Sequence, residues 1–358
     1  MLPKMKDFDF SEKSVILRLD LNSPLDPKTL KIIDKWRIEK AIPTILELKE
    51  KKAKQIIIAH QGRPGEWDFT DLKEHANEIE KIIKENVNFV DDIYGEKAID
   101  EIKKMKKGDI ILLDNVRKIK EEMDKKTPEE HAKSEFIRKL SPLADAFVND
   151  AFASAHRSHC SLVGFIPVLP SFAGLLMEKE VEMIGKMLNF AERPRVFVFG
   201  GNKEDKIEMI KSLIDRKIAD KVIIGGALGN AFLKDVSLRK IAEGKIVYPV
   251  DSVEDRDIGE KTIDIFEEEI SRANSIFLGG PMGVFEEEKY RKGTEKIFKA
   301  IANSGAFTLA GGGHTVAAIR MLGLENKFSY VSTGGGAMER FLMGKDLPVI
   351  EALIKFKR

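Results

Sequence analysis

Five glycine clusters stand where apolar runs end: Gly200-Gly201, Gly225-Gly226, Gly279-Gly280, Gly311-Gly312-Gly313 and Gly334-Gly335-Gly336. Glycine at a strand end lets a planar base or a phosphate reach backbone N–H groups with no Cβ in the way. One such pair is an ordinary tight turn. Five along one edge of one sheet point to a nucleotide or another polyphosphate. Neither GxGxxG nor GxxxxGK[ST] occurs, so the expected binding mode is neither of those two.

Lys203 and Lys206 follow the first glycine pair in a loop that should open a helix. Cations there oppose the helix dipole, so helix stability does not select them. They are either a solvated surface pair or point charges on phosphates. Glu286 closes the turn that starts at Gly279-Gly280-Pro281 and could take a ribose hydroxyl. Glu287 and Glu288 follow it, so a generic acidic helix start fits equally. His314 and Thr315 come straight after the triple glycine and offer an imidazole and a hydroxyl to terminal phosphates.

In the first half of the chain the strand ends carry charge instead. Arg18, Asp20 and Asn22 follow one run; His60, Gln61, Gly62 and Arg63 another; Arg117 a third; Asn149, Asp150, His156 and Arg157 a fourth. Arg37, Arg63, Arg117 and Arg157 are far apart in sequence yet fall at or just beyond element ends. Converging arginines suit a small, multiply anionic ligand, because the guanidinium fork pairs bidentately with carboxylate and phosphate. His60 and His156 lack a third ligand at a fitting spacing, so hydrogen bonding in a polar pocket is the simpler reading and no metal site is expected. Cys160 reads as a small buried residue.

The elements that must hold these groups are short β-branched runs at 15–19, 55–59, 110–113, 146–148, 196–199, 221–224, 276–278, 307–309 and 330–331. Stretches with helical spacing separate them. Nearly continuous apolar strands alternating with helices require parallel sheets buried on both faces, hence an α/β fold of the doubly wound kind. Ligands of such sheets bind beyond the carboxyl ends of the strands. A charged rim in one half and a glycine rim in the other therefore predict two domains with two ligands. The expected division is 1–170 plus 344–358, a linking helix over 171–190, and 191–343.

Length agrees, since 358 residues exceed one comfortable core. A formal net charge of +1 gives the whole chain little pull on nucleic acid or anionic membrane. No apolar run approaches the roughly 20 residues that span a bilayer. The start, MLPKMKDFDF, has no apolar core or cleavage signature for export, and the single cysteine fits a reducing compartment. A cytoplasmic monomer or small homo-oligomer acting on small molecules is expected, without nucleic acid or membrane.

Read together, the chain resembles the phosphoglycerate kinase family from about residue 15 to 351. The stretches that carry the resemblance occur in the family's order: RLDLNSP (18–24), WRIEKAIPTI (36–45), AHQGRPG (59–65), LLDNVR (112–117), VNDAFASAHRSHCSLVGF (148–165), KVIIGGALGNAFLK (221–234), GGPMGVFE (279–286), GGGHT (311–315) and STGGGA (332–337). The resemblance implies two doubly wound lobes joined by a helix, with a C-terminal segment returning to the first lobe. It implies reversible phosphoryl transfer between 1,3-bisphosphoglycerate and ADP after domain closure, with Mg²⁺ carried on ATP or ADP. Asp20, Asn22, Arg37, His60, Arg63, Arg117 and Arg157 look like the family's triose-phosphate site. Gly200, Gly201, Gly225, Gly226, Pro281 and Glu286 look like its adenine and ribose pocket. Lys203 or Lys206, with Gly311, Gly312, Gly313, His314 and Thr315, look like its phosphate-handling groups, and Arg37 with one of the lysines is expected to be catalytic.

Three departures stand out. The lysine loop is one residue shorter than the family's usual form. His314 occupies the place of an aspartate that commonly holds the metal nucleotide, which together with Gln61 resembles the archaeal branch. The periphery of the second lobe is trimmed. The altered lysine loop and His314 also allow a non-catalytic nucleotide-binding relative.

Overall fold

Among the described residues, the nine apolar runs form strands and five further short strands join them, fourteen in all. The computed structural model describes residues 1–201, 205–234 and 244–357. The fold is α/β, and contacts divide the chain into two units: Met1–Glu180 with Asp346–Arg358, and Val181–Lys345.

The first unit holds β1 (Ser14–Arg18), β2 (Lys54–Ile58), β3 (Asn88–Val90), β4 (Ile110–Leu113), β5 (Ala146–Asn149) and β6 (Ser171–Ala173). They pair in parallel in the order β3-β4-β2-β1-β5-β6. β1 and β2 begin one residue earlier than their apolar runs, because the ladder opens with Ser14 beside Lys54. Four of the five residues of each are buried, as strands covered on both faces require. β1 leads out to β2 on one side, and β5 leads to β6 on the other. The connections diverge between β1 and β5, the place where doubly wound sheets in general leave a crevice beyond the strand ends. Arg18 stands beside Asn149 at that point.

Within 171–190 the chain forms β6, then the helix Leu175–Gly185, then a wider helical turn at Lys186–Phe190. The helix start is tied into the first unit. Met177 N donates to Asp150 Oδ1 at 2.9 Å, and Thr44 Oγ1 donates to Asp150 Oδ2 at 2.6 Å while accepting from Leu175 N. The terminal helix Pro348–Lys355 also belongs to this unit. Val349 N donates to Ala155 O, and Lys355 pairs with Glu129 at 2.6 Å.

The second unit holds β7 (Arg195–Phe199), β8 (Lys221–Ile224), β9 (Ile246–Val247), β12 (Ser275–Gly279), β13 (Phe307–Ala310) and β14 (Tyr330–Val331). Their parallel order is β14-β13-β12-β7-β8-β9, and a small antiparallel ribbon joins β10 (Ser252–Val253) to β11 (Asp257–Ile258). Phe197, Phe199 and Phe277 pack across β7 and β12, with Phe277 5.6 Å from each of the other two. Here β7 connects toward β8 and β12 toward β13, so the divergence falls between β7 and β12. Among the described residues no helix is long and apolar enough to cross a membrane.

Candidate functional site

In the first unit, the divergence of β1 and β5 brings two loops face to face. Asp20, just past β1, accepts from Ser154 Oγ beyond β5 at 2.8 Å and from Arg37 Nη1 at 2.8 Å. Arg37 is the second residue of the helix Trp36–Glu50, where a cation opposes the helix dipole, so its position is not explained by helix stability. Its side chain stays one third exposed while Asp20 is buried. Arg18 is almost wholly buried and spends its fork on the protein. Nε donates to Ser161 Oγ at 3.0 Å, Nη2 meets His60 Nδ1 at 3.0 Å, and Nη1 reaches Leu19 O.

A second set of bonds ties the loop after β2 to its neighbours. Gly62 N donates to Asn22 Oδ1 at 2.9 Å, and Arg117 Nη1 donates to Gly62 O. Gln61 is buried and clamps Ser23 in both directions, accepting from its N–H at 2.9 Å and donating to its carbonyl at 3.0 Å. Asn115 Nδ2 donates to Gln61 O at 2.7 Å. Arg63 is exposed, and Arg157 is half-buried with its Nε 3.3 Å from His156 Nε2.

Electrostatics mark this rim as cationic. Burial pushes the Asp20 carboxyl up, but Arg37, His60 and Arg18 outweigh it and hold it well below the usual carboxylate range. Burial, with Arg157 and Arg18 nearby, brings Arg117 down to about 10. Burial lowers Arg157 too, and Arg63 and Arg37 add to the effect. His60 is held well below its ordinary value by burial and by Arg18, Arg117 and Arg157, against the pull of Asp20. Glu122 is the other carboxyl that acts on these arginines; burial pushes it up to about 7, against Arg18 and two bonds from Ser161. Arg18, Arg37, Arg63, Arg117 and Arg157 thus outnumber Asp20 and Glu122, and the excess positive charge suits a small polyanion.

In the second unit, the divergence of β7 and β12 is built from backbone. A Cβ on Gly200 would lie 1.9 Å from Pro281 O, so only glycine lets the two turns meet. Gly201 N donates to Pro281 O at 3.0 Å, and Leu228 N donates to Gly201 O at 2.9 Å. Gly226 has φ +61°, and a Cβ there would press on Gly201 N at 2.8 Å. Lys206 is buried in the same place, its Nζ donating to Gly279 O at 2.6 Å and to Gly200 O. Beside it a cavity of about 190 Å³ is floored by Phe199, Met209, Phe277 and Met338 and edged by Gly311, Gly312, Gly313, His314 and Thr315. The helix Gly313–Met321 opens there with no side-chain cap, which presents its first N–H groups and the positive end of its dipole to an anion.

The candidates therefore fall into two groups, one per unit. Asp20, Asn22, Arg37, His60, Arg117 and Arg157 share the first rim through bonds or mutual charge effects, and Arg63 joins it by its effect on Arg157. Gly201, Lys206, Pro281, Gly311, Gly312, Gly313, His314 and Thr315 line the cavity of the second. Gly200, Gly225 and Gly226 lie behind it: Gly200 and Gly226 hold the turns together, and Gly225 packs against Met282. Glu286 is exposed and does not line the cavity. Lys203 lies outside the described residues. Among the described residues no group of three or more His, Cys, Asp and Glu is placed to hold a metal ion. Cys160 is buried, with its thiol pushed up to about 12, chiefly by burial.

Sequence reasoning passed over Ser154, which binds Asp20, Ser161, which binds Arg18, and Glu122, which binds Ser161. Glu122 sits in the run KIKEEMDKK, which reads as a solvated charged face, and only the fold turns it inward. Met209 and Met338 were equally silent, being ordinary apolar positions on helices.

A family model described as phosphoglycerate kinase matches residues 5–245 and 235–345. A phosphoglycerate kinase of Methanothermus fervidus is 39% identical, covering 98% of this chain and 96% of that protein. One from Methanococcus maripaludis is 39% identical over 99% of this chain and 98% of its own length. Among solved structures, phosphoglycerate kinase from Pyrococcus horikoshii OT3 superposes with a TM-score of 0.92 at 36% identity, and that from Coxiella burnetii with 0.84 at 32%, each covering 100% of both chains.

Proposed function

The chain belongs to the phosphoglycerate kinase family, and from that premise we propose which of its residues do the family's chemistry. The protein is a phosphotransferase with a carboxyl group as acceptor, moving a phosphoryl group reversibly between 1,3-bisphosphoglycerate and ADP to give 3-phosphoglycerate and ATP, a step of glycolysis and gluconeogenesis. Nothing in the matches favours a non-catalytic relative.

The arginine rim of the first unit takes the triose phosphate. Arg37, Arg63, Arg117 and Arg157 pair with its phosphate and carboxylate, while Asp20 and Asn22 fix the rim itself. The cavity of the second unit takes the nucleotide, its phosphates meeting Lys206, Thr315 and the open start of the helix Gly313–Met321. Mg²⁺ would enter as part of the nucleotide substrate and would supply positive charge against its phosphates. One observation carries this assignment: in each unit the candidates gather where the strand connections diverge, the place at which doubly wound sheets bind ligands.

No side-chain nucleophile is needed. A β-phosphate oxygen of ADP attacks the phosphorus of the acyl phosphate, and the bond to the carboxyl oxygen breaks to release 3-phosphoglycerate. The work is positioning and neutralising charge on the equatorial oxygens, for which Arg37 and Lys206, or Lys203, are the candidates. Because the two half-sites stand on different units, transfer requires them to be brought together until the reacting oxygens are in line. A coupled assay for ATP formation from 1,3-bisphosphoglycerate and ADP tests the proposal. Tight nucleotide binding with no ATP formed would overturn it.

A further inference from the structure

Glu122 is almost fully buried beneath the arginine rim, and its carboxylate is used on both oxygens. Oε1 accepts the Ser161 hydroxyl at 2.6 Å, and Oε2 accepts the Ser161 N–H at 2.8 Å. With its proton given to Glu122, the Ser161 oxygen can only accept from Arg18 Nε, 3.0 Å away. The far end of the same guanidinium meets His60 Nδ1 at 3.0 Å. Arginine has no acceptor, so His60 Nδ1 must be the acceptor of that pair. The neutral ring then carries its proton on Nε2.

We propose that Glu122 is a positioning residue, which acts through Ser161 and Arg18 to fix His60 in its Nε2–H tautomer as a hydrogen-bond donor for the triose-phosphate ligand. This rests on the reading of the arginine rim as the triose-phosphate site. The guanidinium donates to His60 by its own chemistry; what Ser161 and Glu122 supply is its position, Ser161 Oγ anchoring Nε and Glu122 holding Ser161 by two bonds. The carboxylate takes the serine proton, the serine oxygen takes the arginine proton, and the arginine gives its other proton to the imidazole. Burial of Arg18, Ser161 and Glu122 keeps water from replacing any link. A histidine free to exchange tautomers would offer the ligand a lone pair part of the time, which an anion repels. Holding one tautomer through the partner of the other ring nitrogen is a general way to define a histidine's role.

The test uses Glu122→Gln and Ser161→Ala in the full-length protein. The first removes the buried charge that acts on Arg18, and alanine removes the oxygen that receives its Nε–H, so both loosen the guanidinium beside His60. Tautomers are read from ¹⁵N spectra of the six histidines, with His60 assigned by its disappearance in His60→Asn. The wild type should show His60 as the pure Nε2–H form, and both variants should show a mixture. In both, KM for 3-phosphoglycerate should rise about tenfold while KM for ATP stays put, the scale of a lost bond to a charged group. Unchanged His60 signals in both variants would overturn the proposal, whatever the kinetics. Should Glu122→Gln fail to fold, Ser161→Ala carries the same reading. A His60 shift in an enzyme without transfer activity would sink the functional assignment and leave the tautomer relay in place.

Discussion

Lys206 Nζ stands 2.6 Å from the carbonyl oxygen of Gly279, at the tip of β12, and also meets the carbonyl of Gly200, past the tip of β7. These strands are neighbours whose connections run in opposite directions, so the ammonium sits at the divergence itself. An ammonium on a flexible stem can trade carbonyls for phosphate oxygens. Lys206→Met should therefore lower kcat by about 100-fold, in the range of losing one preorganised charge on the transferring group. Orphaning the two carbonyls should also destabilise the second unit by about 1–3 kcal/mol. Steady-state kinetics together with thermal unfolding separate the two effects. Loss of stability without loss of kcat would make Lys206 a structural tie, and attention would pass to Lys203.

Arg37 is the partly exposed partner of a buried carboxylate. Removing it should cost kcat about 10³ or more, by analogy with arginines that neutralise phosphoryl-transfer charge. The fold should survive, because Asp20 keeps Ser154 and the nearby Arg18. Arg37→Ala measured alongside its circular dichroism decides the matter. A loss below tenfold would take Arg37 out of the transition state.

The glycine rim offers an internal control. Gly200→Ala would drive a methyl to 1.9 Å from a backbone oxygen, whereas Gly313 has open space around the position of its missing Cβ. Gly200→Ala should unfold or markedly loosen the second unit, and Gly313→Ala should keep its stability within about 0.5 kcal/mol. Differential scanning calorimetry reads both. Equal stability of the two variants would mean that the turns separate easily and that the Gly200 contact is not a constraint.

Much of this arrangement was legible in the sequence. Strands buried on both faces write themselves as apolar runs, and the residues past Arg18, Ile58, Phe199 and Gly279 had to lie at strand tips. Which tips become neighbours was not legible, because strand order comes from crossovers that no local pattern records. Asp20 and Ser154 are 134 residues apart and meet only because β5 pairs with β1. Glu122 was hidden for a related reason. The run around it is mostly charged and at least partly exposed, and the contact that buries it comes from Ser161 on a distant segment. Glu286 shows the opposite case, a residue singled out by its place after a glycine turn that the fold leaves on the exposed surface.

Asp150 ties the start of the helix Leu175–Gly185 to the first unit, and burial pushes its carboxyl from 3.8 up to about 6 despite bonds from Thr44 and the backbone. The native state thus holds the proton more tightly than the unfolded chain. Its stabilising share is complete below about pH 4 and lost as pH rises through about 6, some 3 kcal/mol at most. Asp150→Asn abolishes that titration. Plotted against pH from 4 to 8, the Tm of the wild type minus that of the variant should fall with rising pH and level off above about 7. Parallel curves across the whole range would mean that Asp150 keeps one charge state there.

Gln61 joins the loops that carry Asn22, His60 and Arg63 by a reciprocal pair of bonds to the backbone of Ser23. Its Oε1 also lies 3.1 Å from His75 Nε2, and since an amide oxygen only accepts, His75 donates there. Gln61→Leu keeps the volume roughly but leaves Ser23 N–H, Ser23 O and the His75 ring buried without this partner. The expected cost is about 2–4 kcal/mol to the first unit. Because the loosened loops carry the arginine rim and not the glycine cavity, KM for 3-phosphoglycerate should rise about tenfold with KM for ATP unchanged. A variant that loses stability while keeping both KM values would show that the clamp supports the unit without aiming its ligand-binding groups. A rise confined to ATP would contradict the division of ligands between the two units.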